Sequence, residues 1–151
     1  VTQEQRSEES RQLYCRVITP ERVVFDEPAD LVITRIADGD IGVMAQHAPT
    51  ISTVEIGEVR IRQGEEVKIF AVSDGFFKMS ENLVQILVEE AVRPEDIDVE
   101  AAEHRIEEAS RSLESLDRER PGWERIEREM ERRRKVGENL VLVARRHGQQ
   151  Q

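Results

Sequence analysis

Asp40, His47 and Ser52 fall in one short stretch, DGDIGVMAQHAPTISTVEI from Asp38 to Ile56. They are the residue types that acid–base and nucleophilic chemistry uses. A carboxylate, an imidazole and a hydroxyl make a relay only through folded geometry, and nearness in sequence does not supply that. Other reactive types are scattered: His104 in a helical run, His147 near the tail, and Glu89-Glu90 at the end of a strand-like run, facing solvent. Cys15 is the single cysteine. It sits in the apolar run LYCRVI, so it reads as a core strand residue rather than a nucleophile, and it excludes an internal disulfide and fits a reducing compartment. The sequence has no phosphate-cradling glycine loop, no paired cysteines and no HExxH. These residues predict a binding or mechanical part, with no catalytic site, cofactor or metal.

The elements that must position these residues begin with the stretch itself. Asp38-Gly39-Asp40 with Gly42 reads as a tight turn, Ile41 to Met44 as a strand-like piece, and His47, Ala48 and Pro49 as a corner that proline fixes. Around this tip, residues 13–92 alternate with period two and carry turn signals every eight to twelve residues or so, the pattern of a sandwich or barrel. The strands expected are Leu13 to Ile18, Arg22 to Phe25 ended by Asp26-Glu27-Pro28, Leu31 to Ala37, and Thr50 to Ile56 closed by a Gly57 turn. A hairpin of Glu58 to Gln63 and Glu66 to Val72 about Gly64 follows, with Val59, Ile61 and Val67, Ile69 alternating. Phe76 to Ser80 and Leu83 to Val88 complete the set across a Glu81-Asn82 turn. Eight to ten short strands close most naturally as two packed antiparallel sheets.

At Arg93-Pro94-Glu95-Asp96 the pattern changes. Pro94 ends the strand, and Asp96 or Asp98 can cap a helix. Ala102, Ile106, Ala109, Leu113 and Leu116 form one helical stripe, Arg120-Pro121-Gly122 breaks it, and Trp123, Ile126 and Met130 resume it toward Leu140 and Ala144. The seam between them holds Arg133 and Gly137, and Gly137 either packs there or bends the helix. An α-helical hairpin of two helices, each about twenty residues or longer, is expected. Fold class is therefore α+β, with an arm over residues 1–11 that carries no apolar period and reads as disordered, a β-sandwich over 12–93 and a helical hairpin over 94–151.

Charge narrows the partners. Charged residues are 36% of the chain, against 38% hydrophobic, which requires an elongated, solvated part, and the net charge of −10 argues against nucleic acid or anionic lipid as a general partner. No stretch approaches the ~20 apolar residues that cross a bilayer, so the chain reads as soluble, without membrane insertion. Against this acidic background the second helix carries Arg125, Arg128, Arg132, Arg133, Arg134 and Lys135. Either these lace the helix through pairs such as Glu124 to Arg128 and Glu131 to Lys135, or they dock on an acidic protein surface.

Taken in order, GDIGVMAQHAPTIS, VITPERVVFDEPAD, AVSDGFFKMSENLVQILVEEAV and PEDIDVEAAEHRIEEA resemble the epsilon subunit of bacterial F-type ATP synthase, from about Leu13 to Arg146. The resemblance implies a noncatalytic central-stalk (rotor) subunit. Its sandwich would bind the gamma subunit and sit on the c-ring, and its helices would either lie folded on the sandwich or extend along gamma toward the beta/alpha catalytic hexamer, where they would restrain ATP hydrolysis. It places the chain peripherally at the cytoplasmic face of the cell membrane. By motif position, Asp38, Asp40 and Ile41 correspond to the c-ring contact, His47, Ala48, Pro49 and Ser52 to the gamma contact, and Arg128 with Arg132, Arg133, Arg134 and Lys135 to the inhibitory contact with beta. The chain departs from the family at Ala45-Gln46-His47, where Pro-x-His is usual, and at Ile56, where proline often stands. Some members bind ATP through Ile/Leu-Asp-x-x-Arg-Ala. Here Ile97, Asp98, Ala101 and Ala102 form a degenerate copy without the arginine, and Glu108 stands where a second basic residue is expected, so weak or no ATP binding follows. The competing readings are an ATP-sensing subunit and an unrelated β-sandwich adaptor with a coiled-coil arm.

Overall fold

The computed structural model describes residues 12–148, so the expected arm over residues 1–11 lies outside the described residues. The chain divides after Arg93 into two compact units. The first is a sandwich of ten strands: β1 Leu13–Ile18, β2 Val23–Ala29, β3 Leu31–Ile36, β4 Gly39–Val43, β5 Thr50–Val54, β6 Gly57–Gln63, β7 Glu66–Val72, β8 Gly75–Ser80, β9 Leu83–Val88 and β10 Ala91–Val92. One sheet has the order β2-β1-β9-β8-β5 and the other β10-β7-β6-β3-β4. Between them Leu13, Val17, Val32, Ile61, Phe77 and Ile86 are wholly buried. Phe25 of one sheet meets Phe70 of the other edge to face, with ring centroids 6.0 Å apart. Cys15 is fully buried, and that burial pushes its thiol up to about 12, which makes it a packing residue.

Four details differ from expectation. β2 runs through Asp26-Glu27-Pro28 instead of ending there, because it is an edge strand, and an edge tolerates a residue without an N–H. The pair β1–β9 is parallel, unlike every other pair: its strands are distant in sequence, and no hairpin dictates their direction. Gly57 begins β6 opposite Val72 rather than forming a turn. In β7 the core residues are Phe70 and Val72, whereas Val67 and Ile69 lie opposite Arg62 and Arg60 on the outer face. The Gly64 hairpin and the left-handed Glu81-Asn82 turn (φ 51° and 63°) match the sequence signals.

In the second unit a 3-10 turn, Pro94–Asp96, precedes α1 Val99–Glu114 and α2 Trp123–His147. Asp98 is the N-cap of α1, its carboxylate accepting the Ala101 N–H at 3.0 Å. At 16 residues α1 is shorter than expected: Ser115 is its C-cap, with its hydroxyl back-bonded to the Arg111 carbonyl, and the next N–H, of Leu116, bonds Leu113 only three residues back, so the last turn tightens and the helix stops. α2 starts from left-handed Gly122 (φ 85°) and runs unbroken for 25 residues. Gly137 packs in the seam: a Cβ there would stand 2.8 Å from Ile106 Cγ1 and 3.2 Å from the Ala102 carbonyl oxygen. Glu103 and Arg145 pair across the helices at 3.2 Å.

Candidate functional site

The tip is a hairpin. β3 and β4 are joined through a turn at Ala37-Asp38, after which Gly39 takes φ 121°, a value that suits glycine. Asp40 and Gly42 therefore lie in β4, opposite Arg35 and Ile33, rather than in the turn. The reason is that Gly39 alone supplies the reversal, leaving the later glycine free for the strand. Arg35 Nε donates to Asp40 Oδ1 at 3.4 Å with both side chains exposed, so Asp40 is outward but paired. Asp38 is exposed, and Ile41 packs against the edge of the core.

From Met44 to Pro49 the chain crosses from one sheet to the other as a corner built on backbone hydrogen bonds. His47 N–H donates to the Met44 carbonyl at 3.2 Å. The Ala48 carbonyl lies 2.9 Å from His47 Nδ1, which as its partner must be the protonated ring nitrogen, and also accepts from the Thr50 hydroxyl at 2.8 Å. Ser52 sits in β5 and donates to the Thr53 carbonyl at 3.3 Å. Asp40, His47 and Ser52 are thus each bonded to a different partner, so the folded chain does not assemble them into a relay.

Beyond the corner, β5 opens onto an apolar surface that the expected site residues did not include. The outer row of its sheet runs Thr53, Phe76, Leu87, Ile18, Val23 in register, with Ile51 on the same face. Ile51 is 75% exposed, Phe76 60%, Val23 49% and Leu87 44%. The sequence does carry a signal for it. The doublets Phe76-Phe77 and Ile86-Leu87 put an apolar residue on both faces of a strand, and only one face meets the core.

On α2, Arg128 and Lys135 are exposed and Arg132, Arg133 and Arg134 are half-buried. Arg132 pairs with Glu129 at 3.9 Å and Arg134 with Glu138 at 3.7 Å. The expected pairs Glu124–Arg128 and Glu131–Lys135 are not formed among the described residues, because exposed i,i+4 pairs gain too little to hold two long side chains in one geometry. Arg133 lines a groove of about 380 Å³ with Glu108, Ala109, Arg111, Ser112 and Met130. At the start of α1, Ile97 and Ala102 are buried, Asp98 is committed to the cap, and Ala101 faces a groove whose other walls are Asp98, Glu100, Glu103, His104 and Glu107.

A two-sheet sandwich with a bare apolar face, an exposed acidic tip and a cationic helical arm defines a protein-binding subunit. Its relatives specify which one. Residues 12–94 match the family of the ATP synthase delta/epsilon chain β-sandwich domain. The ATP synthase epsilon chain of Rubrobacter xylanophilus is 60% identical over 141 residues, covering 93% of this chain and 97% of that protein. The epsilon chain of Halalkalibacterium halodurans is 33% identical over 120 residues, covering 80% and 90%. The chain belongs to the ATP synthase delta/epsilon chain family. A chain of the Euglena gracilis mitochondrial ATP synthase structure, which comprises OSCP, F1 and c-ring, shares the fold, with TM-score 0.70 at 24% identity over 87% of this chain and 81% of that one. Among the described residues no helix is long and apolar enough to cross a membrane.

Proposed function

We propose that this chain is the noncatalytic rotor subunit of the F-type ATP synthase central stalk, attached at the cytoplasmic face of the cell membrane and coupling proton-driven rotation of the c-ring to ATP synthesis. The gamma subunit occupies the corner His47, Ala48, Pro49 with Ser52, and the apolar row that continues from it. The observation that carries this reading is that row: large side chains left in water on one sheet face call for a partner, and burying each one contributes about 1.5–3 kcal/mol. The tip, with Asp38, Asp40 and Ile41, seats on the polar loops of the c-ring. The hairpin of α1 and α2 acts as a separate arm. When it reaches the catalytic hexamer, Arg128, Arg132, Arg133, Arg134 and Lys135 dock on an acidic surface of beta and restrain hydrolysis. A few kcal/mol of differential contact suffices to move such an arm between two positions.

The test is ATP hydrolysis by the reconstituted complex. Neutralising Arg132, Arg133, Arg134 and Lys135 together to glutamine is expected to raise the hydrolysis rate severalfold while the complex still assembles. An unchanged rate removes the inhibitory role from this cluster.

A further inference from the structure

Asn82 lies in the β8–β9 turn, far in sequence from the corner, yet its side chain bonds the residue that precedes His47. Its Oδ1 accepts the Gln46 N–H at 2.6 Å across 36 positions of sequence. Its backbone carbonyl accepts the Tyr14 N–H at 2.8 Å, which ties the same turn to the start of β1. Gln46 has φ 66°, and Glu81 and Asn82 have φ 51° and 63°. Those are the three non-glycine residues with positive φ among the described residues, and all three meet at this junction. At Glu81 and Asn82 a two-residue hairpin turn itself calls for positive φ, whereas at Gln46, outside any such turn, left-handed backbone persists only where surrounding contacts over-determine it. Among the described residues the Gln46 N–H has no backbone acceptor, so without Asn82 it is left to water.

We infer that Asn82 is the positioning residue of the β4–β5 crossover: its side chain fixes Gln46 in the left-handed conformation from which the His47-Ala48-Pro49 corner projects. Ala45, packed against the core, anchors the same crossover, so losing the clamp frees the corner without opening the sandwich. This rests on the reading above that the corner is a partner contact.

Two variants of the full chain separate the side chain from the turn. Asn82→Gly keeps a left-handed turn, which glycine adopts freely, and removes the side chain with its acceptor. Asn82→Asp keeps an acceptor on a residue type that tolerates positive φ. By amide hydrogen exchange, the Gln46 N–H in Asn82→Gly is expected to exchange about tenfold faster, the cost of one hydrogen bond, with β8 and β9 as protected as before and Asn82→Asp restoring protection. Unchanged exchange at Gln46, or equal acceleration across β8 and β9, overturns the assignment. Affinity for the purified gamma subunit, measured in parallel, tests the reading beneath it. Weaker binding by Asn82→Gly that Asn82→Asp restores supports both. Faster Gln46 exchange with unchanged affinity leaves the clamp standing and overturns the corner as a contact.

Discussion

Thr34 shows how single side chains set the stability of the sandwich. It is wholly buried between the sheets, on a strand whose neighbouring inward residue is Val32, and its hydroxyl has no hydrogen-bond partner among the described residues. Burying an unpaired hydroxyl costs more than burying a methyl group of the same shape. Thr34→Val is therefore expected to stabilise the sandwich by about 1 kcal/mol, a rise in midpoint of roughly 4–8 °C for a domain of this size. The chain has one tyrosine, Tyr14 in the sandwich, and one tryptophan, Trp123 in the hairpin, so the two units report separately in a thermal melt. A midpoint that falls in the tyrosine signal would mean that the hydroxyl is satisfied in solution. Reading by residue type also explains why Asn82 was not legible in the sequence beyond its turn. Its partner is a backbone N–H 36 positions away, and only the folded crossover brings the two together.

Among the elements, strands and helices were legible to different depths. Period-two alternation located every long strand, and the Gly64 and Glu81-Asn82 signals located their hairpin turns, because those signals are local, whereas Gly42 and Gly57 read as turn residues and lie in strands. They failed where tertiary placement overrides local grammar. Pro28 reads as a stop until β2 proves to be an edge, and Val67 and Ile69 read as core until register turns them outward. The helical stripe located the seam but not the point of approach. Gly137 supplies that point, with Ile106 and the Ala102 carbonyl where a side chain would go. Gly137→Leu is expected to force the helices apart and destabilise the hairpin by about 1–3 kcal/mol. That change is read as a lower Trp123 transition with the Tyr14 transition unmoved. A hairpin as stable as the parent would show that the helices are not pinned at this position.

For the molecule as a whole, the candidate partner residues were legible as motifs, and their physical setting was not. Asp40 was readable as an exposed tip residue, but its pairing with Arg35 depends on the β3–β4 register. The corner was readable, but the apolar row that extends it depends on the order in which five strands assemble. That row is also where the proposed function is most exposed to test. The chain is titrated against the purified gamma subunit of its own ATP synthase, alongside the variants Ile51→Ser and Phe76→Ser, whose side chains point away from the core. A one-to-one complex is expected, weakened by each substitution at least thirtyfold, which corresponds to about 2 kcal/mol for a buried anchor. No complex with gamma, or equal affinity for the parent chain and both variants, would contradict the role proposed for this face.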